Sequence, residues 1–89
     1  MAWRIDLSEL AQKNLNSLDR QAAARILRFL KERVAPLDHP RSIGEALKGS
    51  KFGEFWKYRV GDYRIVASID DSALLVLVVK IGNRREVYR

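Results

Sequence analysis

The chain has no cysteine, so disulfides, thiolate metal sites and a cysteine nucleophile are all excluded. It has a single histidine, His39, set beside prolines in a loop-like stretch. Acid–base chemistry that needs two histidines is therefore excluded, and no metal or cofactor is expected. No segment reaches the roughly 18 to 20 apolar residues of a membrane span. Neither helical stretch carries the Trp/Phe-rich apolar face of an interfacial anchor, so no membrane partner is expected and a cytoplasmic location is the default. Acidic residues are also scarce: 11 against 17 Lys and Arg, a formal net charge of +6. A small basic domain points to a polyanionic or acidic partner, nucleic acid or acidic protein.

At 89 residues, 47% apolar and 31% charged, the chain has the balance of a folded globular domain. It is too short for two cores, so residues 1–89 are read as a single domain. Ala2–Leu7 alternates apolar and charged residues and predicts a half-buried strand. Ser8 is a candidate N-cap for a helix to about Leu18, with Leu7, Leu10, Ala11, Leu15 and Leu18 at helical spacing. Asp19 is a candidate cap for a second helix, in which Ala23, Ile26, Leu27, Leu30 and Val34 form an apolar stripe beside a basic face of Arg20, Arg25, Arg28, Lys31 and Arg33. Ala35–Pro36 ends it, because proline disfavours helix in the residue before it. Residues 35–54 hold both prolines and three of the five glycines and read as a connection, with one helical turn over 44–48.

From Phe55 the period switches to two. Phe55–Val60 and Asp62–Ile69 predict a hairpin closed at Gly61. The unbroken run from Ala73 to Ile81 predicts an interior strand buried on both faces. The order is β-α-α-β-β-β: an α+β fold with an antiparallel-rich sheet and two helices on one face. In the first hairpin strand, Trp56, Tyr58 and Val60 share one face and Lys57 and Arg59 the other. With the aromatic face in the core, Lys57 and Arg59 project from the open face, with Arg64 on the partner strand. Arg84, Arg85 and Tyr88 follow the last strand. Arginine forks grip phosphate oxygens, and tyrosine can stack on a base. RNA cleavage without metal needs a base for the 2′-OH, an acid for the leaving oxygen and cations for the developing charge. Lys57, the one lysine in the cluster, can serve as base if neighbouring Arg59 and Arg64 favour its neutral form.

The strand Trp56-Lys-Tyr-Arg-Val-Gly-Asp-Tyr-Arg64 and the closing Gly82-Asn-Arg-Arg-Glu-Val-Tyr88, with the length, charge and element order, resemble the RelE/ParE superfamily of type II toxin–antitoxin toxins. Within it the chain is most similar to RelE-like mRNA interferases. The resemblance implies a RelE-like fold and ribosome-dependent cleavage of mRNA in the A site, through 2′-OH attack and a 2′,3′-cyclic phosphate, which inhibits translation. It implies Lys57 as general base, Arg59 and Arg85 as substrate-binding, Arg64 as the transition-state arginine, Arg84 as general acid and Tyr88 as the residue that orients the nucleotide. Arg84 and Arg85 both stand where the acid is expected. Phe55 replaces one lysine of a K-x-K-x-R strand. The partners implied are the ribosome, mRNA and an acidic, partly disordered antitoxin, with a monomeric free toxin and a higher-order antitoxin complex. ParE-like toxins share the fold and poison DNA gyrase without nuclease activity, which is the alternative reading.

Overall fold

The computed structural model describes residues 2–47, 55–85 and 87. Strand β1 (Arg4–Leu7) leads into α1 (Glu9–Ser17) and α2 (Arg20–Phe29), and then come β2 (Glu45–Ala46), β3 (Trp56–Val60), β4 (Tyr63–Asp70) and β5 (Leu75–Asn83). The sheet order is β1-β5-β4-β3-β2. β1 runs parallel to β5 and every other pairing is antiparallel. The α+β architecture expected from the sequence is the one observed.

Both helices start on the residues expected. Ser8 Oγ accepts from the Ala11 amide at 3.0 Å, and Asp19 Oδ1 accepts from the Ala22 amide at 2.7 Å; caps of this kind contribute about 1 kcal/mol each. Ser8 Oγ also donates to the Val79 carbonyl at 2.9 Å, and Asn14 Oδ1 accepts from the Ile81 amide at 2.9 Å. α1 thereby satisfies backbone groups of β5 beyond the end of β1, which otherwise would lie against the helix unpaired. After Phe29 the second helix widens into a π-helical turn, Leu30–Val34, before Pro36.

The core joins Ala11 and Leu15 of α1 and Ile26, Leu30 and Val34 of the second helix to Trp3, Tyr58, Val60, Ile65, Ala67, Val76, Val78 and Ile81. Tyr58 is fully buried. Its hydroxyl donates to the Pro40 carbonyl at 2.7 Å, and its ring meets Phe29 edge-on with centroids 5.9 Å apart. A smaller cluster of Leu47, Val66 and Val87, flanked by Phe55 and Val79, covers part of the opposite face.

Three expectations change. Glu45 and Ala46 are extended and paired to Lys57 and Trp56, where a helical turn over 44–48 was expected; Lys48 lies outside the described residues. Edge pairing to β3 satisfies more backbone than one isolated helical turn can. β5 is interior in the sheet, yet only Val76, Val78 and Ile81 are buried, and Leu75, Leu77 and Val79 are half-buried. The helices cover one face fully, and the small second cluster covers the other only in part. Leu10 and Leu27 of the expected stripes are exposed, because each helix lays only its central apolar line on the sheet.

Burial pushes the Tyr58 hydroxyl up to about 12. An acid whose ionisation is suppressed by folding adds stability that is fully present below its unfolded value near 10 and is lost as pH rises through the folded value. Tyr58→Phe should cost about 1–3 kcal/mol at neutral pH, since it leaves the buried Pro40 carbonyl without its donor. Urea titrations at neutral pH and between pH 10 and about 12 test this: the variant lacks the part of the alkaline loss that comes from Tyr58.

Candidate functional site

Period-two geometry puts Lys57 and Arg59 on the face of β3 away from the helices, while Tyr58 and Val60 are buried. Register then places Arg59 directly opposite Arg64, and Lys57 opposite Val66. β2 adds a residue that the sequence reading missed. Glu45 Oε1 lies 3.3 Å from Lys57 Nζ and 3.2 Å from Arg59 Nη2, bridging the two cations. Lys57 is the more enclosed of the pair, its side chain 22% exposed against 65% for Arg59. The hydrogen bond from Lys57 and the charges of Lys57 and Arg59 hold the Glu45 carboxyl below the usual glutamate range. Glu45 is therefore a carboxylate at neutral pH.

This changes the expected surroundings of Lys57. The charge in contact with it is a carboxylate and not an arginine. An ammonium in an ion pair has no lone pair with which to take a proton. Arg64 is turned away from Lys57, its Nη1 donating to the carbonyls of Gly61 at 3.1 Å and Tyr63 at 3.0 Å. A guanidinium has five N–H groups, so its anchoring to the hairpin turn leaves the remainder for other acceptors.

The C-terminal cations sit on a turn fixed to that hairpin. The Arg84 amide donates to the Asp62 carbonyl at 2.9 Å, the Arg85 amide to Asn83 Oδ1 at 3.1 Å, and the Val87 amide to the Asn83 carbonyl at 2.9 Å. Val87 is buried beside Gly82, whose absent Cβ would stand 3.4 Å from it. The structure thus brings Lys57, Arg59 and Glu45 into contact and ties the backbone of Arg84 to the hairpin that carries Arg64. Tyr88 lies outside the described residues. A cleft of about 430 Å³ runs along the edge of β3, with Glu45, Lys57 and Arg59 on one side and Phe29 and Arg33 on the other.

Little in the sequence announced Glu45. Its strand is two residues long, and the one local signal is Gly44, whose φ is +79°. A Cβ there would stand 2.5 Å from the Lys57 carbonyl oxygen and 2.7 Å from Trp56 Nε1. Gly44 therefore lets β2 close on β3. Gly44→Ala should destabilise the protein by about 1–3 kcal/mol through left-handed strain alone, and the clash should move Glu45 off Lys57. Denaturant unfolding measures the first effect, and a rise of the Glu45 titration midpoint toward the ordinary glutamate value, followed by NMR, measures the second.

Comparison with known proteins fits this geometry. Residues 5–88 match the family model described as the ParE toxin of the type II toxin–antitoxin system parDE. The chain is 30% identical over 88 residues to toxin RelE of Mycobacterium tuberculosis, covering 98% of this chain and 87% of that one. It is 25% identical over 89 residues to toxin RelG of the same organism, covering 100% and 99%. The fold matches the crystal structure of the M. tuberculosis toxin–antitoxin complex RelBE2 with a TM-score of 0.85, at 20% identity, over 97% of this chain and 95% of that one. With a family model matched over nearly its whole length and its fold shared with a RelE-type toxin, the chain belongs to the RelE/ParE family of type II toxin–antitoxin toxins.

Proposed function

We propose that this toxin is a metal-independent endoribonuclease that cuts mRNA in the ribosomal A site and so inhibits translation. The observation that supports the reading best is the carboxylate of Glu45 held between Lys57 and Arg59, with Arg64 opposite Arg59 across the hairpin. The set contains a proton acceptor and the cations that a pentacoordinate phosphorane needs.

In this reading Glu45 takes the proton of the 2′-OH, a role the sequence had suggested for Lys57. The 2′-oxygen attacks the adjacent phosphorus, the bond to the 5′-oxygen breaks, and the products are a 2′,3′-cyclic phosphate and a 5′-hydroxyl end. Lys57 and Arg59 exchange their contact with Glu45 for the phosphoryl oxygens. Arg64, already anchored on the turn carbonyls, stabilises the charge that develops there. A guanidinium holds its protons too tightly to give one up readily, so Arg84 or Arg85 hydrogen-bonds the leaving 5′-oxygen while solvent supplies its proton. Tyr88 is assigned to the substrate nucleotide on its motif alone.

The partner we infer is an antitoxin with an acidic segment, which would meet the same cations; the RelBE2 relative was crystallised as a toxin–antitoxin complex. A second reading, a gyrase poison, is favoured by the ParE description of the matching family model.

Purified protein is incubated with ribosomes carrying an mRNA with an empty A site, and 5′ ends and cyclic phosphates are mapped. A cut within the A-site codon is expected. Arg64→Ala should slow single-turnover cleavage by about 10²–10³-fold, and Glu45→Gln by about 10²–10⁴-fold. If Glu45→Gln cuts at the wild-type rate, the proton goes elsewhere and Lys57 returns as the base. No cut at all, with DNA damage on expression in cells, moves the protein to the gyrase reading. A single 2′-deoxyribose at the cut site removes the nucleophile, so that mRNA should stay intact in the same assay; its cleavage would refute 2′-OH attack.

A further inference from the structure

We infer that the groove between α2 and the edge of β3 binds the sugar–phosphate backbone of the RNA strand flanking the cut, with Arg25 and Arg28 on successive phosphates. This rests on the nuclease reading of the neighbouring site. Among the described residues β2 pairs with β3 only at Trp56 and Lys57, so at Arg59 and Val60 the strand edge faces α2. A second cleft of about 330 Å³ opens there, bounded by Arg25, Arg28, Arg33 and Arg59 with one acid, Glu32. It shares Phe29, Arg33 and Arg59 with the Glu45 cleft, and the two form one trough. A strand whose scissile phosphate is held at Arg59 continues into it.

Of the second cleft's four arginines only Arg59 is paired, with Glu45. Arg41 pairs with Asp71 and Arg4 with Asp6 outside it, yet among the described residues no carboxylate pairs with Arg25, Arg28 or Arg33. All four cations are arginines, whose planar forks match phosphate oxygens. The site also has a built element. Gly61, at φ +60°, closes the hairpin, and a Cβ on it would stand 2.9 Å from Arg25 Nη1. The bare turn lets the Arg25 guanidinium lie across it, toward the strand that carries Arg59.

An acidic protein segment is the competing occupant, but it would gain most by burying apolar side chains as well, and the end of the trough that carries Arg25 and Arg28 is lined by just two apolar side chains, Phe29 and Val60. The apolar surface lies on the other side of the helix, where Leu27 borders a groove with Trp3, Ile5 and Leu7. Apolar contact and uncompensated arginine are thus on separate faces, and the arginine face suits a backbone of phosphates.

The test uses a fully 2′-O-methylated RNA of about 12 nucleotides, which 2′-OH attack cannot cut, and follows its binding by fluorescence anisotropy from about 50 to about 300 mM salt. Arg25→Gln/Arg28→Gln is expected to weaken binding and to reduce the slope of log affinity against log salt by about 1.4, since each phosphate neutralised on a single strand contributes about 0.7. Arg25→Lys/Arg28→Lys, which keeps the charge, should retain most of the slope and reports that the fold is intact. Arg4→Gln/Arg20→Gln removes the same charge outside the trough and should leave the slope near that of the wild type. Equal losses in the two glutamine doubles, or no loss in the first, overturn the proposal. So does a groove double that binds RNA normally but no longer binds an acidic antitoxin peptide. A wild-type protein that binds this RNA with a steep slope yet never cuts ribosome-bound mRNA would lose the nuclease reading and keep the groove.

Discussion

The burial of Tyr58 is the constraint on which the rest of the molecule depends. β3 is five residues long and has opposite chemistry on its two faces. A slip of one residue would turn Lys57 and Arg59 into the core and put Tyr58 in water. Burying two unpartnered cations is far costlier than exposing one ring. The register is fixed further by side-chain donors on the helix side: Tyr58 to the Pro40 carbonyl and Trp56 Nε1 to the Ile43 carbonyl at 2.8 Å. These bonds also pin the 35–44 connection against the strand. That connection delivers Gly44 and Glu45 to the strand edge, so the core contact and the candidate site share one set of restraints.

Glu45 illustrates why an interaction of little worth to stability can matter to function. A carboxylate–cation pair whose carboxylate is open to solvent contributes little to stability. What the bridge does is hold Lys57 and Arg59 in one place, reducing the repulsion between neighbouring cations. In the proposed nuclease reading, an incoming phosphate would replace the carboxylate at small cost because the pair is weak, and the released Glu45 would be left beside the phosphate to act on the neighbouring sugar hydroxyl. A stronger, buried pair would resist that exchange.

Much of this fold was legible in the sequence because its elements are strongly patterned. Ser8 and Asp19 cap the helices as read, Ile26, Leu30 and Val34 line the core, and the alternation from Trp56 to Val60 fixed which cations face outward. The errors fall where the deciding contact is long-range. Glu45 and Ala46 have no intrinsic strand pattern, and they are extended because β3 offers them an edge and Gly44 permits the approach. The run from Leu75 to Ile81 reads as uniformly apolar, but only the helices' side of it is fully covered. Periodicity could place Lys57 among arginines but could not bring in a carboxylate from a separate strand.

The placement of the C-terminal arginines follows from an irregularity in the sheet. Between β4 and β5 the register shifts, with Val66 opposite Lys80 and Ala67 opposite Val78, which leaves Val79 as the extra residue. Such a bulge re-aims the strand beyond it, and Val79 packs beside Val66 and Val87 instead of joining the main core. Val87 then acts as an apolar anchor that returns the chain over the open face, and the Arg84 amide closes the turn onto Asp62. Two exposed cations are in this way mounted on a turn held at both ends. Backbone ordering that the fold has already completed need not be repeated when a ligand binds. Preorganised charge stabilises a developing anion better than charge on a free tail would.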